Sequence, residues 1–205
     1  MHLEALKSKQ KEIFKKLSAF SDFYLVGGTA LALQIGHRVS VDFDLFRKKE
    51  LDKNFIAKIH RIFKDNRLQF SLRHSEQINL EVNSVKFNFV KYPHNPLWKL
   101  KIIQGVKMAS AKDIAVMKAF TLGKRATLKD YADLYFILKQ KIITLEQIIR
   151  GCQKKYKQEF NDRLFLEELT YLEDVGEAKI EFLKEAPSRG RIIEFFEEEI
   201  KKVKI

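Results

Sequence analysis

Between residues 24 and 46 an apolar run, two glycines, a short Ala/Leu-rich stretch and an Asp-x-Asp pair follow one another with almost no spare residue. Phe23–Val26 reads as a buried strand that stops at Gly27-Gly28. Thr29–Ile35 reads as a short helix closed by Gly36, and Val41–Phe46 as a second strand whose aspartates share one face. A strand, a glycine turn and a helix start leave backbone N–H groups that a phosphate can approach, and the helix dipole favours the anion. Gly27, Gly28 and Thr29 are therefore candidate nucleotide-binding residues. No Gly-Lys-Ser/Thr follows at Walker spacing, so this is not a P-loop.

Asp42 and Asp44 supply the complementary half. Paired carboxylates on one strand face suit Mg²⁺ (or Mn²⁺), with water and triphosphate oxygens as further ligands. Two such ions would activate an attacking oxygen and stabilise departing pyrophosphate. Taken singly, Gly-Gly is also an ordinary turn and Asp-x-Asp an ordinary solvated edge. Specificity comes from their junction through one short helix.

The rest of the chain divides by pattern. Leu3, Leu6, Ile13, Phe14 and Leu17 predict an amphipathic helix over 3–20. A helix is expected near 53–65, then strands at Leu68–Arg73, Ile78–Val82 and Val85–Val90, with Asn83-Ser84 turning the last two. A further hairpin is expected at Leu100–Ile103 and Val106–Met108. From about residue 110 the pattern is helical, with helices near 111–123, 127–139, 144–156, 161–173 and 189–203. The fold class is thus α/β (α+β): a mixed-sheet core over 1–110, followed by a helical domain over 111–205.

Charge restricts the partners. Residues 1–163 carry 32 Lys/Arg against 16 Asp/Glu, while residues 164–205 carry 7 against 11. So basic a body attracts polyanions, RNA among them, although a generic lysine-rich surface has the same composition. The single cysteine, Cys152, excludes an intramolecular disulfide and a multi-cysteine metal site, and reads as a core or surface thiol. No apolar run is long enough to span a bilayer and no signal-peptide hydrophobic region opens the chain. A cytoplasmic protein with no membrane partner is the expectation.

Residues 24–46 resemble the signature of the nucleotidyltransferase superfamily, the polymerase-β-like fold. More narrowly, Val26–Leu31 and Gly36–Phe46 are similar to the opening and continuation motifs of the AbiEii/AbiGii toxin family of type IV toxin–antitoxin pairs. Met117-Lys118-Ala119, Lys124-Arg125 and Lys129-Asp130-Tyr131-Ala132-Asp133-Leu134 resemble that family's downstream motifs, so the likeness covers about residues 20–140. It implies a nucleotidyltransferase core whose active-site cleft the helical domain completes. It also implies that Gly28 and Thr29 hold triphosphate oxygens, that Asp42 and Asp44 bind Mg²⁺, and that Arg38 and Ser40 lie beside the nucleotide. Lys118 would neutralise phosphate, Asp130 would orient Lys118, contact the nucleotide or act as base, and Asp133 would support it. The substrate is then an NTP, the first-choice acceptor is an RNA such as a tRNA 3′ end, and a cognate antitoxin is a possible partner. A protein acceptor, or a degenerate nucleotide- or RNA-binding protein without turnover, are the other readings.

From the residues alone, Lys118 also reads as a snorkelling surface lysine and Asp130 as a helix-terminal cap. Tyr131 and Tyr135 read as packing, and His37 as a surface histidine. One position departs from the superfamily pattern: Asn88 stands where a third carboxylate is expected. An asparagine can offer its carbonyl to a metal but cannot act as a base. Glu81 could substitute for that carboxylate, or pair with Lys86 across a hairpin.

Overall fold

The computed structural model describes residues 1–203, in two compact units that divide between Ser110 and Ala111. The first unit contains β1 (Tyr24–Val26), β2 (Asp42–Arg47), β3 (Leu68–Arg73), β4 (Gln77–Val82), β5 (Val85–Lys91), β6 (Lys101–Ile103) and β7 (Val106–Met108). It also holds α1 (Ser8–Phe14), α2 (Gly27–Ile35) and α3 (Lys53–Ile62). The strands form one sheet in the order β3-β4-β5-β2-β1-β7-β6. It is mixed: β2 runs parallel to β5 and β1 parallel to β7, while the other neighbours are antiparallel.

Strand alternation sorts the two faces. Phe43 and Leu45 of β2, Phe87 and Phe89 of β5, and Ile78, Leu80 and Val82 of β4 point one way and are buried. Phe14, Phe20, Phe23, Phe55 and Phe63 join them, with ring centroids 5.0 Å apart for Phe20–Phe89 and 5.1 Å for Phe43–Phe87. Each buried Phe contributes about 2–3 kcal/mol, so this aromatic layer is the main thing that fixes the register of β2 and β5. The register in turn decides what the opposite, polar face presents.

Three predicted helices of this unit differ, and the one expected near 53–65 ends at Ile62. The helix expected over 3–20 is broken into a 3₁₀ turn (Leu3–Ala5), α1, and a second 3₁₀ segment (Lys15–Ala19). Leu6 and Lys7 are extended, so the first break falls between Ala5 and Ser8. The helix expected from Thr29 begins two residues earlier, at Gly27, whose φ of +69° only glycine adopts without strain.

The second unit consists of α4 (Ala111–Leu122), α5 (Leu128–Lys139), α6 (Leu145–Tyr156), α7 (Asp162–Thr170) and α8 (Arg189–Ile200). The last two helices end about three residues before the predicted limits. α4 packs against α5, α6 and α7, and α8 against α5 and α7. Thr144 and Gln147 form a reciprocal capping box that starts α6. No helix among the described residues is long and apolar enough to cross a membrane.

Candidate active site

The α2 start and the Asp-x-Asp strand meet through the two glycines. Val26 is the register partner of Asp44, so the strand hands the chain to Gly27 beside that carboxylate. A Cβ on Gly27 would lie 2.6 Å from Asp44 Oδ2, and one on Gly28 would lie 2.4 Å from Arg38 Nη2 and 3.1 Å from Ser40 Oγ. A Cβ at either place would require the facing side chain to move, and at Gly27 the φ of +69° also disfavours one. These are first-turn residues of a nine-residue helix, whose opening N–H groups have no partner within the helix. A carboxylate thus lies against Gly27 and a guanidinium against the adjacent Gly28.

Behind them a small polar network holds the two halves together. Thr29 is fully buried, its Oγ1 2.9 Å from Ser40 Oγ and also bonded to the Asp42 carbonyl. A carbonyl only accepts, so Thr29 donates to Asp42 and Ser40 donates to Thr29. The Thr29 hydroxyl is thereby committed within the protein, and its service to a ligand is through the backbone it fixes. Ser40 is itself held by the first segment of the chain: its N–H donates to Ala5 O at 3.1 Å, and its carbonyl accepts from Gln10 Nε2 at 3.0 Å. The buried Gln10 was not legible as a site residue, because 30 positions separate it from its partner. Arg38 is 4% exposed and donates through Nη1 to Val39 O at 3.1 Å. His37, expected on the surface, is fully buried because the segment 35–39 is packed throughout.

Asp42 and Asp44 are half-buried on the polar face. Asn88, directly beside Asp44 across the parallel β2–β5 pair, donates Nδ2 to Asp44 Oδ1 at 2.7 Å. Asn79 continues this row on β4 and accepts from Gln77 Nε2 at 2.9 Å. Glu81 is not brought to the aspartates. It lies two strands from Asp42, about 10 Å by strand spacing, with Lys86 in register between them. Among the described residues no group of three or more His, Cys, Asp or Glu side chains could hold a metal ion. Two hard oxygen donors without thiol or imidazole nonetheless fit a cation that keeps water and takes phosphate oxygens.

The second unit has its own charged cluster. Lys118 on α4 reaches Asp130 Oδ1 at 2.6 Å and Asp133 Oδ2 at 2.7 Å, both on α5. Thr127 Oγ1 donates to the other Asp130 oxygen at 2.6 Å. Asp133 is fully buried and Lys118 is 8% exposed, so this is not a snorkelling surface lysine. Burial disfavours the ammonium, but Asp133 and then Asp130 outweigh it and hold the Lys118 pKa above its ordinary value. Tyr131 donates its hydroxyl to carbonyls of Glu168 (2.8 Å) and Tyr171 (3.1 Å), and burial pushes its pKa up to about 12. Cys152 is buried against the Val116 carbonyl, and burial raises its thiol pKa, which suits packing rather than nucleophilic chemistry.

The family model described as "Nucleotidyl transferase AbiEii toxin, Type IV TA system" matches residues 12–202. An uncharacterized protein of Aquifex aeolicus, aq_aa25, is 31% identical over 206 residues, 97% of this chain and 98% of that one. Among solved structures, the nucleotidyltransferase toxin MenT4 of Mycobacterium tuberculosis shares the fold with a TM-score of 0.60 at 13% identity, over 93% of this chain and 82% of that one. JHP933 of Helicobacter pylori does so with a TM-score of 0.55 at 13% identity, over 96% and 95%.

Proposed function

The chain belongs to the AbiEii family of nucleotidyl transferase toxins of type IV toxin–antitoxin systems, and from that membership we propose that it transfers a nucleotidyl group from an NTP to an RNA 3′ end, tRNA foremost. The observation that carries the reading is the contact of Asp44 with the glycine start of α2. A triphosphate with its cation matches that junction, anion to the amides and cation to the carboxylates. Asp42 and Asp44 would hold Mg²⁺ or Mn²⁺, which supplies charge neutralisation at the reacting phosphate.

The chain's own residues do the rest. Gly27 and Gly28 offer backbone N–H groups to phosphate oxygens. Arg38 sets positive charge beside Gly28, while Thr29 and Ser40 fix the distance between helix start and carboxylates. Within the second unit, Asp130 and Asp133 position Lys118. The acceptor hydroxyl oxygen bonds to the α-phosphorus, the bond to the bridging oxygen breaks, and pyrophosphate leaves. The hydroxyl proton passes to solvent, since Asn88 stands where a carboxylate base would be. RNA is favoured as acceptor by the excess of 32 basic over 16 acidic residues in positions 1–163. A cytoplasmic location, with a cognate antitoxin encoded alongside, completes the proposal.

Asn88 favours a second reading, nucleotide binding without turnover. The experiment that separates them incubates the protein with each α-labelled NTP, Mg²⁺ or Mn²⁺, and total cellular RNA. Label on RNA is expected, and lost in Asp42→Asn/Asp44→Asn. Label on protein instead would establish a protein acceptor, and NTP binding with no label on either would establish the degenerate reading.

A further inference from the structure

On the polar face of the sheet, one register step beyond Asp44, stands a row of aromatic side chains that the reaction outlined above does not use. Phe46 follows Asp44 by two residues on β2, and Tyr24 is its cross-strand partner, ring centroids 6.4 Å apart. Tyr92 continues past β5, its N–H bonded to Arg47 O at 2.7 Å, and places its ring 4.7 Å from that of Phe46. His94 extends the row, 5.3 Å from Tyr92. All four are half-buried. The aromatic rings of the opposite face, Phe43, Phe87 and Phe89 among them, are fully buried. Strand rise puts Phe46 about 7 Å from Asp44 along the same face.

The side of Asp44 on which this row lies decides its use. The phosphate-binding features, Gly27, Gly28 and the Thr29–Ser40–Asp42 network, lie from Asp44 toward the start of β2. The aromatic row lies toward its end. In-line displacement puts the entering oxygen and the leaving pyrophosphate on opposite sides of the α-phosphorus. With the pyrophosphate on the glycine side, the acceptor enters from the aromatic side. Every base offers a face for stacking, and single strands are commonly held by aromatic side chains beside positive charge.

We propose that Tyr24, Phe46, Tyr92 and His94 form an acceptor platform that stacks the terminal bases of a single-stranded RNA 3′ end, placing its hydroxyl at Asp42 and Asp44. This rests on the RNA-acceptor reading. The test is binding of a single-stranded RNA oligonucleotide carrying 2-aminopurine at its 3′ end, followed by fluorescence, with wild type, Tyr92→Ala and Tyr92→Phe. The expected result is quenching with wild type and Tyr92→Phe, and weaker binding with less quenching for Tyr92→Ala, by about five- to a hundredfold. Equal Tm across the three proteins, with RNA bound and quenched equally, would overturn the platform alone. RNA that fails to bind wild type would overturn the RNA-acceptor reading and the platform with it. If Tyr92→Ala fails to fold, Tyr92→Leu, which keeps apolar bulk without a π-face, takes its place under the same criteria.

Discussion

Asn88 gives its amide hydrogen to Asp44, a service a carboxylate could not perform. Asn88→Asp would replace a 2.7 Å hydrogen bond by two carboxyl groups in contact, which raises the pKa of one of them. The expected outcome is a loss of about 1–2 kcal/mol without divalent cation, recovered when Mg²⁺ or Mn²⁺ is added. Thermal melts with and without the metal check this, and equal melts in both conditions would deny the carboxylates a cation. Lys118 presents the opposite case, a cation enclosed by two anions. Lys118→Met leaves Asp133 fully buried without a counter-charge, and a loss of about 3–5 kcal/mol in urea unfolding is expected. The pH dependence follows from the raised Lys118 pKa: its contribution is fully present below the ordinary lysine value of 10.5 and is lost as pH rises through the higher folded value. Urea stability that falls between pH 7 and 9 in wild type, but not in Lys118→Met, would contradict that sign.

Between residue and fold, α1 acts as a brace: its Gln10 holds the Ser40 carbonyl, and Ser40 holds Thr29 at the start of α2. Gln10→Ala is expected to cost about 1 kcal/mol and also to weaken NTP binding, though Gln10 lies outside the ligand-facing set. Calorimetric binding of NTP beside a thermal melt checks this, and a lower Tm with unchanged affinity would make α1 purely structural. Much of the element pattern was legible. The alternation of β2 puts both aspartates on one face, and Asn83-Ser84 marks its hairpin. In the sequence the glycine pair reads as a turn before the helix, because nothing there shows that Gly27 takes positive φ inside the first turn. Helical spacing at Leu3, Leu6 and Ile13 predicts one continuous helix, since apolar spacing does not register the extended Leu6 and Lys7.

At the scale of the molecule, sequence could name chemistry but not proximity created by register. Asp42, Asp44 and the glycines were legible because their spacing is local. Asn79 and Gln10 were not, because strand order and long-range packing put them in place. Asp130 and Asp133 share one helical face by spacing, and that they act with Lys118 comes only from the resemblance, since their contact with it depends on the packing of α4 on α5. The central claim is that the carboxylate pair and the glycine start of α2 together form a cation-dependent nucleotide site. The most direct test is calorimetric titration of a non-hydrolysable NTP, with and without Mg²⁺, into wild type and Asp42→Asn/Asp44→Asn of matched Tm. The account predicts binding that requires Mg²⁺ in wild type and weakens at least about tenfold, roughly 1.4 kcal/mol, in the double variant. Equal affinity in both proteins, or affinity indifferent to Mg²⁺ in wild type, would contradict it.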